Sequence, residues 1–96
     1  MKELNVKTFS ELLRNSRLMN KYGIKKISLF GSFIKGKRFN DIDILVEEAR
    51  DYDALVEFRQ ELETLTSKKI DLVIKKFANP IVLYRAQKDM VDVTAN

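Results

Sequence analysis

The sequence contains neither cysteine nor histidine. Without cysteine no disulfide framework can form, as is usual for a cytoplasmic protein, and we expect this localisation. Without histidine there is no imidazole to ligate a metal or to act as a general acid or base. Any catalysis must therefore rely on carboxylates, hydroxyls, lysines and a bound metal ion.

Long apolar runs are also lacking. No stretch approaches the roughly 20 apolar residues of a transmembrane helix, and the N-terminus has no secretory signal pattern, so we expect no membrane association. With 96 residues, of which 45% are hydrophobic and 33% charged, the chain predicts one small globular domain over residues 1–96. The net charge of +4 favours anionic partners such as nucleotides or RNA.

Apolar spacing predicts a first helix over residues 9–22. Thr8 followed three residues later by Glu11 is a capping-box pattern, and Gly23 is placed to end the helix. Leu18 lies off the apolar stripe of this helix and is expected to pack on a loop or face a partner.

Two further helices are indicated. One spans residues 51–65, begins at a cap formed by Asp51 or Asp53, and has a buried stripe of Leu55, Phe58, Leu62 and Leu65. The other begins at Asn79-Pro80, because proline suits the first helical position.

Short apolar segments predict strands over residues 25–30, 41–46, 69–74 and 90–93. The first two strands are joined by a short segment and should pair antiparallel. The order of elements predicts an α/β (α+β) domain with a small mixed β-sheet and helices mainly on one face. The acidic side chains described next would line the other face.

Asp41 and Asp43 alternate with Ile42 and Ile44, so the two carboxylates point to one face of a strand and the isoleucines to the other. Carboxylates about 7 Å apart on one face repel each other unless a cation lies between them. Such a pair can bind a divalent metal through oxygen ligands. The alternative is a solvated strand edge.

Gly31-Ser32 ends the first strand, where Gly31 can adopt a positive φ and Ser32 offers a hydroxyl. If Ser32 opens a helical turn, the backbone N–H groups there suit a phosphate. Lys35, Lys37 and Arg38 follow, and they are either a solvated loop or cations that neutralise a triphosphate.

A third carboxylate, Asp71, interrupts the apolar strand 70–74. An unpaired carboxylate in a half-buried strand is costly, so Asp71 needs a partner. If its strand lies beside 41–46, the three acids can face one another, and without a Lys or Arg on that face a metal would be the explanation.

The motif LFGS…G…DIDILV, followed by KKIDLVI, resembles the signature of the DNA polymerase β-type nucleotidyltransferase superfamily and of its smallest branch, the minimal nucleotidyltransferases (MNT). The likeness spans residues 25–74. The matching positions are Gly31, Ser32, Gly36, Asp41, Asp43 and Asp71.

That resemblance implies a nucleotidyltransferase fold and the transfer of a nucleoside monophosphate from ATP to an acceptor hydroxyl, with Mg²⁺ or Mn²⁺ as cofactor. The catalytic and metal-binding residues would be Asp41, Asp43 and Asp71, and the nucleotide-phosphate-binding residues would be Gly31, Ser32, Lys35 and Lys37.

The resemblance also implies a partner. Minimal nucleotidyltransferases are often encoded with a HEPN-type RNase toxin, which they neutralise by attaching AMP to a tyrosine. We therefore expect an antitoxin that modifies such a toxin in a homo- or hetero-oligomer. The segment between Gly31 and Asp41 is about two residues shorter than usual in the family, which favours an alternative, an antitoxin that acts by binding alone. A third hypothesis is a basic nucleic-acid-binding module, with Phe33 and Phe39 between its cations.

Overall fold

The computed structural model describes residues 4–36, 40–47 and 51–95. Four strands lie within these ranges, β1 (Lys26–Phe30), β2 (Asp41–Val46), β3 (Lys69–Ile74) and β4 (Val91–Thr94). They form one sheet in the order β3-β2-β1-β4. β1 pairs antiparallel with β2 and with β4, while β2 pairs parallel with β3. The predicted mixed sheet, including its antiparallel first pair, is confirmed.

Four helices accompany the sheet, α1 (Val6–Ser16), α2 (Leu18–Lys21), α3 (Tyr52–Thr66) and α4 (Pro80–Gln87), and a short 3₁₀ turn at Lys75–Phe77 follows β3. Gly23, with φ of 68°, follows α2 as predicted. None of the helices in the described ranges is long and apolar enough to cross a membrane.

The first predicted helix is two helices, and its predicted start is wrong. The N-cap is Asn5: its side-chain oxygen accepts from the Thr8 backbone N–H at 2.9 Å, and the Thr8 hydroxyl accepts from the Asn5 N–H at 2.8 Å. Thr8 therefore occupies the third helical position, and Glu11 is not its capping partner, because Asn is at least as good an N-cap as Thr.

Arg17 divides the two helices, since its backbone has the left-handed conformation, with φ of 55°. This break turns α2 relative to α1. Leu18 is consequently buried in the core, with only 3% of its surface exposed, and the prediction that it packs on a loop or faces a partner is wrong.

The helix predicted at 51–65 is confirmed as α3. Asp51 is its N-cap and accepts from the backbone N–H groups of Asp53 and Ala54. Leu55, Phe58 and Leu62 are buried as predicted, but Leu65 is 49% exposed because it lies in the last turn, beyond the covered part of the sheet.

The main core lies between one face of the sheet and the helices α1, α2 and α3. The central strand contributes Ile42, Ile44 and Val46. The helices contribute Phe9, Leu13, Leu18, Met19, Leu55, Phe58 and Leu62. This core occupies the face that the isoleucines of β2 were predicted to bury, so the carboxylates of β2 point to the opposite face.

The cap of α1 can be tested by mutation. We expect Asn5→Ala to lower the free energy of unfolding by about 1 kcal/mol, because it leaves N-terminal N–H groups of the helix without their acceptor. Glu11→Ala, at the position wrongly predicted to complete the box, should change it by less than about 0.5 kcal/mol. Urea unfolding measures both. A larger effect at Glu11 than at Asn5 would contradict this assignment.

Candidate active site

The register between β2 and β3 determines which side chains meet. Asp43 is aligned with Asp71, and Asp41 with Lys69. Because alternate residues of a strand share a face, the three carboxylates lie on one face of the sheet. Lys69 lies on that face too, which corrects the expectation of a face without lysine or arginine.

The surroundings of Asp43 raise the pKa of its carboxyl. Partial burial, and after it the charges of Asp71 and Asp41 and a hydrogen bond to Asp71, raise its pKa from 3.8 to about 6. Carboxylates held this close cannot all ionise freely without a compensating cation. The two strands thus hold a concentration of negative charge at this point of the face.

Gly31 packs directly against that carboxyl. It follows Phe30, the residue of β1 aligned with Asp43, and its φ is 82°. A Cβ atom at Gly31 would overlap Oδ2 of Asp43. Glycine is therefore required here for two reasons: it can adopt the positive φ, and it lets the backbone approach the Asp43 carboxylate closely.

A turn begins at Ser32, which meets the condition for a phosphate-binding turn that the sequence analysis left open. The Ser32 carbonyl accepts from the Lys35 N–H at 3.2 Å, and the Phe33 carbonyl accepts from the Gly36 N–H at 3.4 Å. Phe33 is buried and packs edge-on against Phe9, with ring centroids 5.7 Å apart. This anchors the turn to the core and leaves the Ser32 side chain exposed next to Gly31.

The buried position of Phe33 also bears on the nucleic-acid hypothesis, which needs exposed aromatic rings between the cations. Phe33 does not provide one, and Phe39 lies outside the described residues. Lys37 and Arg38 lie outside them as well. Lys35 is exposed, and its Nζ lies 3.9 Å from Oδ2 of Asp89.

An acid at the end of β2 is paired with lysines. Just after β2, Glu47 lies 3.8 Å from Nζ of Lys26 and 3.7 Å from Nζ of Lys75. Among the described residues, by contrast, no lysine or arginine forms a salt bridge with Asp41, Asp43 or Asp71. Within the part of the chain that the structure describes, Lys69 is aligned with Asp41 but does not come within salt-bridge distance of it or of the other two acids.

These oxygen donors suit a hard divalent cation such as Mg²⁺. As they stand, no three acidic, cysteine or histidine side chains in the described ranges are grouped closely enough to hold a metal ion. Asp41 is two residues from Asp43 along the strand, so its side chain must lean towards the Asp43–Asp71 pair to complete a site. The donor chemistry and the repulsion at Asp43 fit a divalent cation.

Lys69 is the residue that the sequence reasoning missed. It precedes Asp71 by two positions, so the same period-two rule that placed Asp41 beside Asp43 would have placed it on the acidic face. Asp89 and Asp92 are exposed, as expected, and Asp92 accepts a hydrogen bond from the buried Ser28 hydroxyl at 2.7 Å.

Comparison with known families places this chain among the nucleotidyltransferases. Residues 15–93 match the family "Polymerase beta, Nucleotidyltransferase", and the chain belongs to this family. A similar protein of Methanocaldococcus jannaschii, "Putative protein adenylyltransferase MJ0128", is 38% identical over 98 residues, covering 92% of this chain and 100% of that protein.

Two solved structures are similar to the whole domain. One is a mutant of a toxin–antitoxin pair that contains MntA, with 27% identity, a TM-score of 0.67, and coverage of 98% of this chain and 75% of the other. The second is a toxin–antitoxin with AMP-PNP, with 25% identity, a TM-score of 0.65, and coverage of 86% and 72%.

The raised pKa of Asp43 predicts a pH dependence. Its pKa is about 6 in the folded chain against 3.8 ordinarily, so between about pH 4 and 6 the folded state binds more protons at this site than the unfolded state. The contribution of this carboxyl to stability therefore falls as pH rises through that window. We expect the stability of Asp43→Asn, relative to wild type, to rise from pH 4 to pH 7 in urea unfolding. The control is Asp92→Asn. A difference independent of pH would contradict the assignment.

The contact between Gly31 and Asp43 predicts unequal effects at two glycines. Gly31→Ala and Gly36→Ala both place a side chain at positive φ, at a cost of about 1–2 kcal/mol each. A Cβ at Gly36 meets nothing within 4 Å, whereas one at Gly31 overlaps Asp43. We therefore expect Gly31→Ala to be the more destabilising and to move the pKa of Asp43 as measured by NMR. Equal effects of the two variants would refute the contact.

Proposed function

We propose that this chain is a protein adenylyltransferase that transfers AMP from ATP to a tyrosine hydroxyl of a HEPN-type toxin and thereby acts as its antitoxin. The observation that carries the proposal is the alignment of Asp43 with Asp71 beneath the backbone of Gly31. The family membership, the name of the similar adenylyltransferase and the fold shared with toxin–antitoxin proteins support it.

In this reaction the acceptor hydroxyl oxygen forms a bond to the α-phosphorus of ATP, and the bond from the α-phosphorus to the bridging oxygen of pyrophosphate breaks. Pyrophosphate leaves with that electron pair. The hydroxyl proton passes to a carboxylate, for which we propose Asp71, the most exposed of the three acids. The pairing of β3 with β2 places it beside Asp43.

We assign Asp41, Asp43 and Asp71 as the ligands of Mg²⁺ or Mn²⁺. The metal would supply charge neutralisation for the phosphates and for the entering and leaving oxygens. The remaining task of the acids is positional, because phosphoryl transfer depends mainly on alignment and on charge placed in advance.

Gly31 and Ser32 are proposed to hold the β- and γ-phosphates. The close approach of Gly31 to Asp43 brings backbone N–H groups and the Ser32 hydroxyl next to the carboxylates, where a metal-bound triphosphate would lie. Lys35, at the exposed end of the same turn, and Lys37, two positions later in the sequence, are proposed to neutralise the triphosphate. The ion pair of Lys35 with Asp89 is exposed and weak enough to exchange for a phosphate.

The competing function is an antitoxin that acts by binding alone. The uncompensated charge at Asp43 favours catalysis, because acids kept together without a partner cation serve no purpose in a docking protein. Both functions require binding to the toxin, so only the attachment of AMP to the toxin distinguishes them.

Co-expression with the HEPN-type partner tests the proposal. We expect Asp41→Ala with Asp43→Ala to reduce AMP transfer at least about a hundredfold, because the phosphoryl charge is no longer neutralised. The variant should still co-purify with the partner, and intact-mass spectrometry should show that the partner lacks the mass of AMP. Asp92→Asn changes an exposed acid of β4, at the other edge of the sheet from β3, and is the matched control. If the wild-type pair carries no added AMP and the double variant neutralises toxicity equally well, transfer is not the mechanism.

A further inference from the structure

Two buried apolar residues of the described chain lie outside the main core. Leu45 is 2% exposed and Ala86 is 5% exposed, yet neither belongs to the core cluster. By strand alternation Leu45 points to the same face as Asp41 and Asp43. Something must cover it on that face, and Ala86 is the single buried residue of α4.

The topology provides the cover. α4 connects β3 with β4, and these are the two opposite edges of the sheet, so the connection must cross it. The C-terminal end of α4 lies near the turn after Gly31, because Asp89, just after α4, forms an ion pair with Lys35 of that turn. We conclude that α4 crosses the face that carries the acids, covers Leu45, and ends beside the glycine turn.

The outer side of α4 is a stripe of four residues that we call the α4 stripe, Ile81, Tyr84, Arg85 and Lys88. Their spacing of three, four and seven positions aligns them along a helix, opposite Ala86. Ile81 is 64% exposed and Tyr84 is 65% exposed, although both are large apolar side chains.

The stripe has the chemistry of an interface. Nζ of Lys88 lies 4.8 Å from the centroid of the Tyr84 ring, which joins the apolar and cationic parts. Aromatic and arginine side chains are the types enriched at the centre of protein interfaces. Phe77, 66% exposed and just before α4, extends the apolar surface towards β3.

We propose that the α4 stripe docks the HEPN-type toxin and thereby delivers its tyrosine to the acids. This inference rests on the proposed function for the identity of the partner. A protein whose hydroxyl reaches Asp43 and Asp71 must approach their face of the sheet, and there it meets α4. To complement Ile81, Tyr84, Arg85 and Lys88, the docking surface of the toxin must be apolar with acidic residues around it.

The test measures binding of the toxin to this chain, which does not require AMP transfer. The full chain is titrated with the purified, unmodified HEPN-type toxin by calorimetry. We expect Ile81→Ala with Tyr84→Ala to weaken the dissociation constant at least about tenfold, since buried anchors dominate interfaces. Alanine preserves helix propensity, so α4 should persist. The matched control, Val56→Ala with Leu65→Ala, removes two apolar side chains of α3 that are 47% and 49% exposed, and should bind as wild type does.

Charge reversal provides a second variant. Arg85→Glu with Lys88→Glu should slow association and weaken its salt dependence, because the complementary charges are lost. Unchanged affinity and association rate in both stripe variants would overturn the docking proposal, as would a wild-type chain that does not bind the toxin. A self-associated wild type that the alanine pair converts to monomer would instead assign the stripe to a second copy of this chain, and would also overturn it.

Docking and transfer fail separately. If the stripe variants lose binding but the wild-type pair never carries AMP, transfer is wrong and docking stands. Suppose that wild type and the Ile81→Ala, Tyr84→Ala variant bind the toxin with equal affinity and transfer AMP to it at equal rates. Docking through α4 is then wrong, and transfer stands.

Discussion

The parallel pairing of β2 with β3 is the constraint on which the site depends. Parallel strands cannot be joined by a tight turn, so a long connection is required, and α3 provides it while covering the core. The register obtained in this way places Asp43 beside Asp71. A shift of one residue would turn Asp71 into the core and bring Ile70 or Leu72 to the acidic face. The buried isoleucines that fix the register therefore also fix the alignment of Asp43 with Asp71.

At Asp43 and Asp71, the stability of the fold and the concentration of negative charge oppose each other. Burial and neighbouring carboxylates raise the pKa of Asp43, which means that its charged form is disfavoured in the fold. The fold tolerates this cost because Ile42 and Ile44, on either side of Asp43 in the same strand, are fully buried. Glu47, just after β2, is by contrast within salt-bridge distance of two lysines.

Much of this fold follows from local sequence patterns. The strands and α3 are indicated by period-two and helical spacing, and the Gly-Ser turn and the acid pair by their residue types. The start of α1 could not be read in the same way, because Thr8 followed by Glu11 and Asn5 followed by Thr8 are both plausible caps. The burial of Leu18 depends on a left-handed Arg17, which nothing local requires. The position of α4 was equally hidden, because a helix with apolar residues on several sides does not reveal which side meets the sheet.

The order in which the site's parts occur along the chain has a consequence for folding. Gly31 and Asp43 are adjacent across a hairpin and can meet early, whereas Asp71 reaches them only after the whole of α3 has been traversed. Contacts so distant in sequence carry a loop-closure cost and form late. During synthesis the third acid leaves the ribosome last of the three. A nascent chain that ends before β3 therefore lacks one of the three carboxylates, and they come together only after α3 and β3 have been added.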